Sequence, residues 1–424
     1  MMNFELFYET SGVCTDTRNI QKDCLFICLR GANFNGNTFA LQALKEGAKY
    51  VISDDTSVGE NPNIFQVENS LLFLQQLANH HRKKMEIPVI GITGTNGKTT
   101  SKELISHVLQ QKYKVLATTG NLNNHIGVPL TLLQLTKEHE IAIIEMGANK
   151  PGDIKELVDI AEPTHCIITN IGKAHLEGFG SYEGVIKTKG EMYEYAKNNH
   201  AIIFYNDEDS VLKSILPTMA KTIGYSSLIK ADLLRMTPYV AMYWESTNYF
   251  SGELETKMIG KYNYTNFIAA IAIGTFFKVE DTKISEAICS YEPTNNRSQV
   301  QKTKDNTLIL DAYNANPSSM KNAIESFKEM SHPAKLLILG DMFELGDVSQ
   351  TEHQQIIENC DSSQLTCYFV GRNFYNQKKE TKNQLFFETK DELIDYLSIN
   401  HPTNKLILLK ASRGIGLEAV VPYL

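Results

Sequence analysis

Thr93-Gly94-Thr95-Asn96-Gly97-Lys98-Thr99-Thr100 decides how this chain reads. The run follows the apolar Pro88-Val-Ile-Gly-Ile92. It precedes residues 101–111, where Leu104, Ile105, Val108 and Leu109 recur at helical spacing. Strand, glycine turn and helix in this order meet the physical requirements of a phosphate loop, in which backbone N–H groups and the positive helix end face phosphate oxygens. Gly94, Thr95, Asn96, Gly97 and Thr100 would cradle the phosphates, Lys98 would reach the β- and γ-phosphates, and Thr99 would hold Mg²⁺. A glycine turn that merely leads into a buried helix has no need of Gly-Lys-Thr. With Ile at position 92, the loop is shorter than G-x-x-x-x-G-K-[ST]. A guanine-reading Asn-Lys-x-Asp is not present, because Asn149-Lys150-Pro151-Gly152-Asp153 places its Asp one residue late.

Working outward, short apolar runs alternate with helical patterns, which predicts an α/β chain built on parallel sheets. Strands are expected at 89–92, 114–117, 141–145, 166–169 and 201–205, in a central domain spanning 85–292. Antiparallel strands attached to that sheet are expected between 231 and 259. A second series, at 308–311, 335–339, 366–370 and 405–409, predicts a C-terminal α/β domain over 293–424. The runs at 24–29 and 50–53, around a helix-like 37–47, predict a small N-terminal α/β domain over 1–84. A chain of 424 residues accommodates three such cores. Its net charge of -8 argues against a nucleic-acid partner. No apolar run reaches the length of a membrane span, and Met1–Thr10 lacks the basic and apolar regions of a signal peptide, so a cytoplasmic protein is expected. The 7 cysteines match no zinc or redox spacing and are expected to be reduced core residues.

Glu145 ends the run Ile141-Ala-Ile-Ile-Glu145, at the strand edge where ligand crevices form in open α/β sheets. A hard cation takes oxygen ligands, so Glu145 and Thr99 with nucleotide phosphates would make a plausible Mg²⁺ shell; a solvated strand-end carboxylate is the alternative. The next strand leads into Thr169-Asn-Ile-Gly-Lys-Ala-His175-Leu-Glu-Gly-Phe-Gly180, and Val185-Ile-Lys187-Thr-Lys189-Gly-Glu191 follows shortly after. Taken alone, His175 would be structural and the two lysines solvated.

In this order, the segments resemble the Mur ligases, a family that also uses the shorter Gly-Thr-x-Gly-Lys-Thr loop. Thr119-Gly-Asn121-Leu-Asn123-Asn124-His-Ile-Gly-Val-Pro129, Asp311-Ala-Tyr313-Asn314-Ala-Asn316-Pro-Ser-Ser-Met320 and Leu339-Gly-Asp-Met-Phe-Glu-Leu-Gly346 are similar to the D-alanyl-D-alanine-adding branch. Thr15-Asp16-Thr17-Arg18 and Leu25-Phe-Ile-Cys-Leu-Arg30-Gly31 look like its uridine-nucleotide-binding domain.

The resemblance implies a three-domain architecture: a UDP-precursor domain, a central ATPase domain with a phosphate loop, and a Rossmann-like C-terminal domain that closes over ATP. It implies ATP-dependent amide formation between UDP-N-acetylmuramoyl-tripeptide and D-Ala-D-Ala through an acyl phosphate, by a monomer using a pair of Mg²⁺ ions. Lys98, Glu145, His175 and Lys189 would be catalytic. His175 would contact the second Mg²⁺, and Lys189, rather than Lys187, would carry a carbamate that also ligates metal. Asn263 and Asn266 would contact adenine, Asp311 the ribose, and Arg297 phosphate or substrate. Asn121, Asn123, Asn124, Tyr313, Asn314 and Asn316 would face substrate, with Lys410 and Arg413 on the dipeptide side.

Three segments depart from the family pattern: Gly260-Lys-Tyr-Asn263, Lys410-Ala-Ser-Arg413 and Asn35-Gly36-Asn37. Sister ligases that add diaminopimelate, lysine or glutamate are the near alternative. A catalytically idle interaction protein is the distant one.

Overall fold

The computed structural model describes residues 4–362, 365–379, 381 and 383–424. Met1–Asn3, where the signal-peptide reading begins, lie outside them. The central sheet has six parallel strands in the order Lys221–Gly224, Ile202–Tyr205, His165–Ile168, Val89–Thr93, Ile141–Glu145 and Val115–Ala117. The phosphate-loop strand Val89–Thr93 lies between strands that come later in the chain, a topological switch point that opens a crevice at the carboxyl ends.

The inner strands are buried on both faces. Ile90, Ile92, Ile143 and Ile167 pack against Leu104, Ile105 and Val108 of the helix Lys98–Leu109 and Phe267 of the helix Tyr264–Phe276. Val89, Ala142, Ile144 and Ile168 pack into the opposite cluster with Leu157, Val158 and Val185. Double burial turns these strands into continuous apolar runs, which is why they stand out in the sequence.

The segment 231–259 departs from expectation. Lys230–Arg235, Ala241–Ser246, Tyr249–Phe250 and Leu254–Glu255 form their own antiparallel sheet, with no ladder to the central one. It is held through a face rather than an edge: Val240, Met242 and Trp244 turn inward against Phe267 and Ile284. The phosphate-loop helix also begins earlier than its apolar periodicity predicts, at Lys98, because its first turn is built from loop residues.

The C-terminal sheet runs Gln299–Lys302, Thr307–Leu310, Leu406–Lys410, Lys335–Gly340, Thr366–Val370 and Gln384–Phe387, parallel except for its first strand. The N-terminal sheet is parallel: Val13–Cys14, Leu25–Ile27, Tyr50–Ser53 and Ile64–Gln66. It is joined to the centre by the helix Ser70–Met85, whose Phe73, Leu74 and Leu77 share a core with Val128, Leu132 and Leu157. All the cysteines are free; Cys14 and Cys289 are only partly buried, unlike the core positions expected of them.

Candidate active site

The crevice is a cavity of about 1170 Å³ between the central and C-terminal sheets. Its floor is the phosphate loop. Gly94 and Gly97 have φ of 144° and 77°, and a side chain on Gly94 would collide with Thr169 Oγ1. The loop is pinned by residues to which no role was assigned from sequence. Thr95 N donates to Asn170 O (2.9 Å), Asn96 N to Asn170 Oδ1 (3.0 Å), and Asn170 Nδ2 and Thr169 Oγ1 donate to Asn96 O (2.8 and 2.6 Å). Thr169 and Asn170 stand directly after a fully buried strand, and that position was the available signal.

Lys98 Nζ folds back onto Gly94 O (2.8 Å) and Thr95 O (3.3 Å). Burial lowers its pKa, with Glu145 opposing that shift. Thr99 Oγ1 donates to Glu145 Oε2 (2.9 Å), and Asn123 Nδ2 donates to Glu145 Oε1 (2.8 Å). Glu145 is 2% exposed, so the carboxylate is placed by design of the fold rather than solvated. The donors fit a hard cation: one hydroxyl and one carboxylate at the mouth of the phosphate loop. Among the described residues no group of three His, Cys, Asp or Glu side chains forms a metal cage. A Mg²⁺ here would complete its shell with phosphate oxygens and water, as Mg²⁺ usually does.

His175 and Glu344 meet across the domain boundary through Nδ1 and Oε2, and both have left-handed backbones, with φ of 50° and 62°. Burial lowers the His175 pKa, with Glu344 opposing. Lys189, 2% exposed on the helix Tyr182–Asn198, is not among the residues lining the cavity, and its Nζ stands 5.7 Å from the Phe179 ring centre. Burial and the nearby Lys98 charge push its pKa well down. Neighbouring Glu191 fixes this helix by accepting from Gly152 N and Lys155 N, both at 2.9 Å.

On the opposite wall, Asp311 accepts from Lys410 Nζ (2.6 Å) and Ser298 N (3.2 Å). Lys410, expected beside the dipeptide, therefore shares one place with Asp311, expected beside the ribose. Tyr313 lies between Arg297 (3.8 Å) and Arg413 (5.1 Å), and Arg413 Nη1 donates to its hydroxyl (3.2 Å). Asn314 Oδ1 accepts from Ala315 N (2.9 Å). Asn316 caps the helix Pro317–Glu329 and reaches Asn96 Oδ1 (2.8 Å) across the cleft. Lys173 and Glu352 add a second crossing at 3.2 Å. Asn263 and Asn266 line the cavity, but their amides are bonded to each other (2.9 Å), to Ile259 O (2.8 Å) and to Ser101 Oγ (3.0 Å). Asn121 and Asn124 also line it; Asn124 Oδ1 accepts from Ile126 N (3.1 Å) and Gly127 N (2.9 Å).

The N-terminal candidates lie apart from this cavity. Thr15 and Asp16 line a second cavity of about 710 Å³ with Tyr8, His81 and Leu135. Asp16 caps the turn Thr17–Asn19 and pairs with Arg18 (2.5 Å), which holds its carboxyl down at about 2. Arg30 pairs with Asp54 (2.9 Å) and Asp55 (3.3 Å), beside Gly31 in a short hairpin. In the departing Asn35-Gly36-Asn37, Asn37 bonds Asp54 Oδ1 (2.8 Å) and Ser53 Oγ (2.8 Å).

Residues 9–82 match the model described as Mur ligase family, catalytic domain; 92–274 match the Mur ligase middle domain, and 296–413 the Mur ligase, glutamate ligase domain. A Bacillus subtilis (strain 168) protein named UDP-N-acetylmuramoyl-tripeptide--D-alanyl-D-alanine ligase is 35% identical over 426 residues, covering 97% of this chain and 92% of the relative. The Escherichia coli (strain K12) protein of the same name is 32% identical over 420 residues, with 97% and 92% covered. The crystal structure of the Thermotoga maritima MurF ligase in complex with ADP superposes with a TM-score of 0.86 at 26% identity, covering 100% of this chain and 98% of that one. Phosphate loop, buried Glu145, cleft and three matched segments agree: the chain belongs to the Mur ligase family.

Proposed function

We propose that this chain is an ATP-dependent ligase that joins D-alanyl-D-alanine to UDP-N-acetylmuramoyl-tripeptide, releasing ADP and phosphate, in cytoplasmic peptidoglycan precursor synthesis. The observation that carries the reading is the phosphate loop with Thr99 and Glu145 held together at the switch point, in a chain whose relatives bear that ligase's name over nearly their full length.

In this reading the terminal carboxylate of the tripeptide attacks the γ-phosphorus of ATP. The bond to the β–γ bridging oxygen breaks, ADP leaves, and an acyl phosphate forms. The dipeptide amine then attacks the acyl carbon, loses a proton and expels phosphate. The protein contributes positioning and charge neutralisation. Loop N–H groups and Lys98 hold the phosphates. Thr99 and Glu145 would hold Mg²⁺, which neutralises phosphate charge when bound. We assign a second ion to His175 and a carbamate on Lys189, supported by the lowered lysine pKa, since only the neutral amine adds CO₂. Asn263, Asn266, Asp311 and Arg297 are assigned to the nucleotide, and Asn121, Asn123, Asn124, Tyr313, Asn314, Asn316, Lys410 and Arg413 to the reacting peptides. Thr15, Asp16, Thr17, Arg18, Arg30 and Gly31 are assigned to the uridine nucleotide; the separate N-terminal cavity supports this for Thr15 and Asp16, which line it. Domain limits at residues 84 and 292 and a monomeric state are further parts of this reading.

The test is product formation. Purified protein with ATP, Mg²⁺, the tripeptide precursor and D-Ala-D-Ala should yield the pentapeptide precursor by mass; unchanged precursor would overturn the reading.

A further inference from the structure

The linker 291–298, between the helix Asp281–Ser290 and the strand Gln299–Lys302, is tied to the phosphate-loop helix by hydrogen bonds to Glu103, and its Tyr291 ring also packs edge-on to His107 of that helix at 6.0 Å. Glu103 lies one turn beyond Thr99 on Lys98–Leu109. Its carboxylate accepts from Tyr291 Oη (2.5 Å) and twice from Asn295 Nδ2 (2.9 and 3.1 Å). Lys102 Nζ stands 3.8 Å away, itself donating to Thr118 O (2.7 Å). One carboxylate thus gathers both ends of the linker's first half.

Beyond that anchor, Asn296 and Ser298 hold φ of 54° and 51°, a left-handed backbone that persists only where neighbours enforce it. The enforcement is on both sides. Asn296 N donates to Gln299 Oε1 (3.2 Å), Ser298 N to Asp311 Oδ1 (3.2 Å), and Ser298 Oγ pairs with Tyr262 Oη (2.8 Å). Arg297, between them, is laid 3.8 Å over the Tyr313 ring at the cavity wall. Arg297 Nε and Asn295 Oδ1 are buried without a hydrogen-bond partner. A buried guanidinium nitrogen with no acceptor, in a cavity that also holds Lys98, suits an anionic oxygen brought by the ligand.

We propose that Glu103 is a positioning residue: by holding Tyr291 and Asn295 it fixes Arg297 opposite the phosphate loop, so that the loop helix and Arg297 present their charges to ATP as one unit. The inference rests on the assignment of the phosphate loop to ATP. Glu103 touches no reacting atom in this scheme and acts only through the linker.

A double-mutant cycle tests it. Glu103→Ala, Arg297→Ala and the double variant are compared in kcat, in KM for ATP and for the uridine precursor, and in thermal melting. The expected result is a loss of about tenfold in kcat/KM for ATP in Glu103→Ala, with KM for the precursor unchanged. The double variant should then match Arg297→Ala, since no positioned arginine remains to be lost. A Glu103→Ala loss that is as large in the Arg297→Ala background, or a parallel rise in KM for the precursor, would overturn the proposal. If Glu103→Ala does not fold, Asn295→Ala, which removes two of the bonds from the linker side, runs the same cycle. The cycle uses whichever amine the wild-type protein ligates, so failure with D-Ala-D-Ala would overturn the functional reading and leave the anchor testable.

Discussion

Thr99 Oγ1 donates to Glu145 Oε2 over 2.9 Å, joining the first turn of a helix to the last residue of the neighbouring strand. Both side chains are buried, and Asn123 holds the other carboxylate oxygen. Glu145→Gln keeps the shape and removes the charge. It should lower kcat by about 100-fold and raise the Mg²⁺ concentration needed for half-maximal rate. A Mg²⁺ titration, with melting curves to verify folding, checks this; an unchanged profile would remove Glu145 from the metal site.

Asn316 both caps its helix and reaches Asn96 across the cleft at 2.8 Å. Asn316→Ser preserves a capping side chain and loses the crossing. Melting should shift by less than about 0.5 kcal/mol, while KM for ATP rises a few-fold, the equivalent of about 1 kcal/mol for one hydrogen bond. Equal effects on both would mean that Asn316 serves only its helix.

Lys189 is buried, and its pKa is pushed down first by burial and then by Lys98. Lowering the pKa raises the neutral amine fraction near pH 7, which favours CO₂ addition. Lys189→Ala should lose activity and recover part of it with added formate or acetate. Removing bicarbonate should reversibly slow the wild-type protein. Isotopic bicarbonate should label Lys189, and no label together with no rescue would refute the carbamate.

Much of this site was legible because buried parallel strands are continuous apolar runs and their carboxyl ends carry the chemistry. Glu145 and the phosphate loop were singled out that way, whereas the role of His175 came from the family resemblance alone. What stayed hidden was pairing. Thr169 and Asn170 look like ordinary turn residues until their bonds to Asn96 are seen. Glu103 reads as a helix-surface carboxylate, and nothing local links it to Asn295, 192 residues on. Asp311 pairs with Lys410, 99 residues on, which no local pattern shows. Gln299–Lys302 and Lys221–Gly224 are edge strands with polar residues, so periodicity gave no signal for them.

His165, stacked on Phe204 at 5.7 Å, is held neutral by burial, its pKa falling from 6.5 to about 4. A lowered folded pKa means that the unfolded chain binds the proton first. This stability is therefore complete above pH 6.5 and is lost as pH falls toward about 4. The loss should be on the order of 3 kcal/mol. His165→Phe should flatten the stability profile across that window; the same slope in the variant would assign it to other groups.

The most direct test measures ADP release from ATP and Mg²⁺ with the uridine tripeptide precursor, in parallel with D-Ala-D-Ala, with single amino acids and with no amine. The account predicts sustained release only with the dipeptide, one ADP per amide formed, abolished in Lys98→Ala. Turnover with a single amino acid and none with the dipeptide would contradict it.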